Sequence, residues 1–466
     1  MHSSRVDGLQ YSPVAKMQAI VRPLPSPRGQ PPISKQSPWP RNSFPTAIAN
    51  LSFVLPQNNA EIPPPHDHLP EAWQDDESIQ SIIASWAGLG RRRAYTLSSQ
   101  PLKEGSSKSF SYHNKTLNET SHITLTQDAE SIPTCGNIAA TTTPDSHLLN
   151  DTAVQTFVAD FMTTLPPCTR GVSKAANPWV FVDLFLPPDQ CTPIVRVLGA
   201  CFWIWLCIVD DLTEEGDEFG DLDACLRVLA KSPFHVGPAC QVEARTPALE
   251  VMEAFRDVVR NVRTDDDLRL VILDDEECVE EGWKLHLWGE VHTVCQALKA
   301  EQSFRGRKIS MREWMAQRII TISTRPFMVL FRAQLDLPTD LTVSPASGSE
   351  KLGQLQLLLQ AVLGLENDIL GWEKDNHEQN PLNAIEVVIS GGELKSGAFH
   401  RVLKAHNDLM RVYLSLAAEY LAEIEGPEMA MARRYLACMS SCGHAMAEWM
   451  MSCGRYIPGS AVLQVA

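Results

Sequence analysis

The sequence predicts an all-α fold, a single helical bundle of roughly 320 residues behind a largely disordered N-terminal extension. Three observations predict it. Of the 32 prolines, 17 fall in residues 1–150. From about residue 145 onward, long segments repeat apolar side chains every three to four residues, the period of a helix with one buried face. Strand-like alternation is scarce over the same stretch.

Taken in order, the first seventy residues carry runs such as Pro31-Pro32 and Pro63-Pro64-Pro65, which long helices and central strands cannot hold. Trp73, Ile79, Ile82, Ile83 and Trp86 then recur at helical spacing behind Asp75-Asp76-Glu77, predicting a short amphipathic helix near 74–90. The Arg91-Arg92-Arg93 that follows reads as its solvated end. Residues 98–145, rich in Ser, Thr and Asn, have loop composition. The extension therefore spans 1–147 and the bundle 148–466. Within the bundle the periodicity predicts helices over 149–164, 191–210, 221–231, 245–263, 266–302, 310–335, 350–374, 382–390, 394–424 and 427–453. The extension is expected to be dispensable for whatever the bundle does.

The balance of 40 Lys+Arg against 56 Asp+Glu gives a net charge of −16, and the mean hydropathy is −0.13. An acidic surface repels phosphate backbones, which argues against nucleic acid as a partner. The 12 cysteines form no CxxC pair and no zinc-spaced cluster, and several sit in apolar stretches as small buried hydrophobes, so a reduced cytoplasmic setting is expected. Met1 to Asn50 contains no continuous apolar core of a secretory signal. The apolar run Val197–Val209 is shorter than the ~18–20 residues of a membrane span and ends in two aspartates.

Two polar motifs interrupt apolar helices. Asp210-Asp211-Leu212-Thr213-Glu214 closes the apolar helix that begins near Ile194. Positions i and i+4 share a face, so Asp210 and Glu214 point the same way with Asp211 alongside. Carboxylates gathered at the mouth of an apolar cavity repel one another unless a cation neutralises them, and oxygen-only ligands suit Mg²⁺. The bland alternative is a solvated acidic helix end, since Glu215, Asp217 and Glu218 follow. Asp75-Asp76-Glu77 is as acidic but follows no apolar helix, and no chemistry is assigned to it. The second motif, Asn367-Asp368-Ile369-Leu370-Gly371-Trp372-Glu373-Lys374-Asp375, follows the apolar segment Leu352–Leu365. Residues 367, 371 and 375 fall on one stripe of a helix, with a glycine gap between Asn and Asp. A hydrophilic stripe on an apolar helix needs partners, which a second metal site would supply and an ordinary capped helix end would not require.

Together the two motifs resemble those of class I terpene cyclases. Asp210-Asp211-x-x-Glu214 is similar to that family's aspartate-rich motif, and Asn367-Asp368-x-x-Gly371-x-x-Lys374-Asp375 to its second metal motif, in the same order along the chain. Arg318, in an apolar segment about fifty residues before Asn367, is similar to the family's diphosphate-sensing arginine, and Arg455-Tyr456 to its terminal Arg-Tyr pair. An arginine in apolar surroundings needs an anion, and its planar fork matches phosphate oxygens. The resemblance covers residues 148–466 and implies the class I terpenoid synthase fold, most like fungal sesquiterpene synthases. It implies metal ligands at Asp210, Asp211, Glu214, Asn367, Gly371 and Asp375, three Mg²⁺ ions with Mn²⁺ as a substitute, and diphosphate contacts from Arg318, Lys374, Arg455 and Tyr456. Two departures matter. Gly371 stands where the family has Ser or Thr, so a water must complete that ligand shell, and Asp375 is one methylene shorter than the usual Glu.

The implied reaction ionises an allylic prenyl diphosphate, farnesyl diphosphate by chain size, and cyclises the cation in a dry cavity. Helical spacing back from Asp210 makes Trp203 the best cation-facing aromatic, with Phe181, Phe202, Trp314, Phe327 and Trp372 weaker candidates for which core packing is the competing role. By resemblance, Thr321 and Ile322 are linker and effector on a helix break beyond Arg318, and the small polar Ser323 and Thr324 are compatible with a break. The substrate pocket is thus expected to include Trp203, Thr321, Ile322 and Phe327. The alternatives are an isoprenyl diphosphate synthase, which would need a second DDxxD at residue 367, a head-to-head synthase with two DxxxD motifs, or a helical interaction protein keeping a degenerate site. A monomer and a homodimer are both compatible with the sequence.

Overall fold

A computed structural model describes residues 106–114, 117, 119–127, 144–188, 191–215, 222–235, 245–264, 270–272, 281–304, 306–341, 350–378, 382–452 and 456. They form one compact unit within residues 60–466. Two antiparallel strands, β1 (Ser106–Asn114) and β2 (Glu119–Gln127), open it. Thirteen α-helices follow among the described residues. They are α1 (Pro144–Thr164), α2 (Arg170–Ala175), α3 (Pro178–Phe185), α4 (Pro193–Glu215), α5 (Leu222–Leu229), α6 (Pro247–Asn261), α7 (Gly282–Gln302), α8 (Met311–Thr321), α9 (Thr324–Gln334), α10 (Glu350–Glu378), α11 (Ala384–Ser390), α12 (Lys395–Glu423) and α13 (Pro427–Ser452). A second small pair, β3 (Val262–Thr264) and β4 (Leu270–Ile272), links α6 to α7.

Helix α4 is buried along nearly its whole length, and its one buried charge among the described residues, Arg196, is paired with Asp183 at 2.5 Å. By length and composition Pro193–Leu212 could cross a membrane, but 94% of that window is buried inside the protein, so its solvent is other helices. At Gly199 a Cβ would stand 2.2 Å from Leu186 Cδ1, which is why α3 and α4 can close to contact. Local signals set the helix starts. Thr246 accepts from Leu249 N ahead of Pro247, Ser310 and Glu313 form a capping box for α8, and Asn383 caps α11.

The architecture agrees with the all-α expectation and departs from it locally. The segment expected to run helical from 310 to 335 is two helices. Pro326 has no N–H and would clash with the carbonyl of residue 322, so the first helix ends at Thr321 and Ser323 takes a left-handed conformation, φ 61°. The segment expected to be helical from 266 begins at Gly282 instead, and its short apolar run pairs as β4. Helices α2 and α3 were not expected.

Residues 98–145, expected to be loop, contain the β1–β2 hairpin. Ile123 and Leu125 alternate with threonines in β2 and are fully buried against the bundle. The expected helix near 74–90 lies outside the described residues. Among the described residues Cys168, Cys191, Cys201, Cys207, Cys225, Cys295 and Cys442 are free thiols.

Candidate functional site

The first motif occupies the last turn of α4. Asp210 and Asp211 are half-buried there, below a helix whose preceding sixteen residues are buried. Glu214 lies on the same turn, and its side chain is outside the described residues.

The second motif lies on α10, where three consecutive residues are tied to different neighbours. Glu366 faces α12 and approaches His406 Nε2 at 3.3 Å. Asn367 Oδ1 accepts from Arg318 of α8, and its Nδ2 contacts the Met450 sulfur of α13 at 3.7 Å. Asp368 is fully buried, and its Oδ2 accepts from Trp314 Nε1 at 2.9 Å and from Ala384 N at 2.5 Å. Two turns on, Asp375 Oδ2 accepts from Asn383 Nδ2 at 2.8 Å, which also donates to the Asp368 carbonyl at 2.9 Å. Lys374 is half-buried on the same turn. Gly371 supplies no ligand atom. A Cβ there would sit 3.4 Å from the Tyr456 ring, so the place of the family's Ser or Thr is covered by an aromatic face. Arg455 lies outside the described residues.

Arg318 is bonded to the second motif and lies within the electrostatic reach of the first. Its guanidinium pairs with Asp368 at 2.6 Å, and its side chain is 16% exposed. Burial opposes its charge, but Asp368, Glu301, Asp375 and Asp210 more than offset this and hold it firmly protonated. The stem of Arg318 reaches this position by crossing α10 at Gly364, where a Cβ would lie 2.8 Å from Arg318 Cγ.

Glu301, at the end of α7, completes the group. Burial pushes its carboxyl up to about 7, against the pull of Arg318 and with repulsion from Asp210 and Asp368. Asp368 is likewise raised to about 7 by burial, although Arg318 pulls it down. Four carboxylates thus act on one guanidinium. Among the described residues no three His, Cys, Asp or Glu side chains form a ready metal cluster. The hard oxygen donors and surplus buried negative charge nevertheless fit a divalent cation.

Beside this polar group stands an aromatic wall. Phe181 stacks on Trp203 at 3.8 Å between centroids and 1° between planes, and Trp449 meets Trp203 edge-on at 4.6 Å. Tyr456 meets Trp449 at 5.2 Å, and Phe327 meets Phe181 at 5.4 Å. The indole N–H groups of Trp203 and Trp449 both donate to the Ala176 carbonyl, at 3.1 and 3.0 Å, so one backbone oxygen at the end of α2 sets both rings. Thr321 and Ile322 lie at the α8–α9 break. Trp314 and Trp372 do not belong to this wall. The first is spent on Asp368, and the second donates to Glu386 and stacks on Phe399 of α12.

Residues 201–412, from α4 to α12, match a family model described as terpene synthase family 2, C-terminal metal binding. The match makes this stretch similar to the metal-binding domain of terpene synthases. Among solved structures it is similar to 2-methylisoborneol synthase from Streptomyces coelicolor A3(2), in complex with Mg²⁺ and 2-fluoroneryl diphosphate, at 15% identity. That match covers 70% of this chain and 98% of that one, with a TM-score of 0.51, a likeness of fold. Linalool/nerolidol synthase from Streptomyces clavuligerus, in complex with 2-fluorogeranyl diphosphate, aligns at 15% identity over 66% of this chain and 95% of that one, TM-score 0.49. A comparison with curated protein sequences finds no match.

Four parts of this candidate site escape sequence reasoning: Glu301, Gly364, Asn383 and Trp449. Glu301 and Gly364 have no local signal, because their roles arise from helices that meet only in three dimensions. Asn383 carries one, as an N-cap residue ahead of an apolar run. Trp449 could have been found from its place on the last helix, six residues before Arg455.

Proposed function

We propose that the chain is a Mg²⁺-dependent cyclase of farnesyl diphosphate, releasing inorganic diphosphate and a sesquiterpene hydrocarbon or alcohol. The observation that carries this reading is Arg318, bonded to Asn367 and Asp368 of the second motif and held charged in part by Asp210 of the first, next to a buried aromatic wall. Asp210, Asp211, Glu214, Asn367 and Asp375 are the residues that would hold the metal. Bound there, it supplies positive charge to the departing diphosphate.

The rest is done by the chain itself. Arg318, Lys374, Arg455 and Tyr456 would bind the diphosphate oxygens and fix the orientation of the allylic C–O bond. When that bond breaks, its electron pair leaves with the diphosphate and the carbon chain is left as a cation. Pre-placed donors favour this charge separation because they need not reorganise as it occurs. The packed faces of Trp203 and Phe327, backed by Phe181 and Trp449, exclude water, and each exposed ring face stabilises a cation by about 0.5–2 kcal/mol. Thr321 and Ile322, at the helix break, would couple diphosphate binding on Arg318 to the pocket. The reaction ends when the cation loses a proton or captures one water.

The test is incubation of purified protein with Mg²⁺ and geranyl, farnesyl or geranylgeranyl diphosphate, with mass spectrometry of organic extracts and assay of released diphosphate. A C15 product from farnesyl diphosphate, abolished by EDTA, is expected. Silence with all three would overturn the reading in favour of a helical interaction protein.

A further inference from the structure

The β1–β2 hairpin lies outside the residues that match the terpene synthase family, yet it is bonded to the bundle through its backbone. A two-stranded hairpin is marginal alone in water and needs a surface to pack on. Ile123 and Leu125 supply the apolar half of that packing. The polar half comes from Asn407 on α12, whose Nδ2 donates to the Thr124 carbonyl at 2.8 Å while its Oδ1 accepts from Thr126 N at 2.8 Å. These backbone groups lie on the open edge of β2, so one amide side chain stands in for a third strand.

The contact continues inward. Asn407 Oδ1 lies 3.0 Å from His406 Nδ1, and since that oxygen already accepts from Thr126, the imidazole must donate to it. His406 is fully buried, and its Nε2 lies 3.3 Å from Glu366 Oε2, the residue immediately before Asn367. Consecutive helical side chains are about 100° apart, so Glu366 on one flank and Asp368 on the other set the rotation of α10 that aims Asn367. A side-chain oxygen about 5–6 Å from a helix axis moves about 1 Å for a 10° rotation.

We propose that the 106–127 hairpin is a working part of the catalytic unit, docked by Asn407 and tied through His406 and Glu366 to the helix face that presents Asn367. Asn407, His406 and Glu366 are then positioning residues for the second acidic motif. The structural link stands alone, and its catalytic consequence rests on the proposed function.

The experiment uses the full chain with two substitutions that act from opposite sides. Asn407→Leu removes the amide. Thr126→Pro removes the N–H that reaches Asn407, which an edge strand tolerates, and leaves every bundle residue in place. In both, hydrogen exchange is expected to rise over residues 119–127 and also over 364–376, with the Mg²⁺ concentration for half-maximal turnover raised several-fold. If Asn407→Leu does not fold, Thr126→Pro carries the test. Faster exchange confined to the hairpin, with unchanged Mg²⁺ dependence, overturns the proposal, as does a hairpin that neither substitution loosens. If the unsubstituted protein turns over no prenyl diphosphate, the functional reading fails and the exchange over 364–376 alone decides the inference.

Discussion

Replacing Gly364 with alanine adds a single methyl group to the interior of α10, and the geometry separates its effect on stability from its effect on catalysis. The new Cβ would lie 2.8 Å from Arg318 Cγ, 3.8 Å from its Cβ and 3.9 Å from its Cδ. Relaxed carbon contacts are about 3.5–4.0 Å, so the Arg318 stem must retreat by about 0.7 Å or more. The stem is the rooted end of the side chain, and its movement carries the guanidinium away from Asn367 and Asp368. Alanine in place of glycine inside a helix stabilises by about 0.5–1 kcal/mol, whereas overpacking costs about 1–3 kcal/mol. The net is a loss of about 0–2.5 kcal/mol, a fall of up to a few degrees in Tm.

Catalysis should fare worse, because misplacing a group by about 1 Å costs about 10²-fold in rate. The control lies on the same helix: at Gly353 an added Cβ meets nothing within 4 Å, so Gly353→Ala should stabilise the protein and leave turnover unchanged. Steady-state kcat/KM for farnesyl diphosphate and thermal unfolding of both variants check this. Full turnover by Gly364→Ala, or an equal loss in Gly353→Ala, would refute the placement of Arg318 at the reacting diphosphate.

Asp210→Asn and Asn367→Ala should each lower turnover by at least about tenfold, since each removes a proposed ligand of the metal that would neutralise the departing diphosphate, and steady-state kinetics across a Mg²⁺ titration measures it. In metal-free protein, Glu301 holds a proton up to about 7 that the unfolded chain releases near 4.5, so its contribution to stability is present below pH ~4.5 and is lost as the pH rises through ~7. Glu301→Gln has no such loss. Its stability relative to the parent should therefore grow by roughly 2–3 kcal/mol between pH 5 and pH 8 in EDTA, and an equal Tm difference at both pH values would count against the burial of that carboxyl. Trp449→Phe removes one of the two N–H donors to the Ala176 carbonyl; about 1 kcal/mol of stability should go with it, and the product mixture should change as the ring loosens, which gas chromatography with mass detection reads.

What the sequence could display was whatever lies along one helix. Asp210-Asp211 and Asn367…Asp375 were legible because each sits at the polar end of an apolar run, and Arg318 because a charge stands out among hydrophobes. The helices themselves followed from periodicity, and the α8–α9 break was legible in Pro326 although Ser323 and Thr324 drew the attention. What was hidden is contact between elements. The hairpin was obscured by composition, since Ser, Thr and Asn mark loops in bulk, and only the two buried positions Ile123 and Leu125 give β2 away. Gly364 is one glycine among 25, distinguished only by the arginine that crosses it.

The two departures in the second motif show how such contacts change the meaning of a residue. Along the helix, Gly371 and Asp375 look like two independent losses, a missing hydroxyl and a shortened carboxylate. In three dimensions each has a partner: the Tyr456 ring lies against Gly371, and the Asn383 amide holds Asp375. Asn383 also caps α11 and bonds the Asp368 carbonyl, so the shorter carboxylate is fixed by the same side chain that starts the next helix and braces the motif's aspartate. A serine Cβ at 371 would rest in ordinary contact with the Tyr456 ring, and the carboxylate at 375 is already fixed by the Asn383 amide. Restoring a glutamate at 375 should lower turnover more than restoring a serine at 371, because Asp375 is held by a direct hydrogen bond from Asn383 whereas a Cβ at 371 meets Tyr456 only at ordinary contact distance.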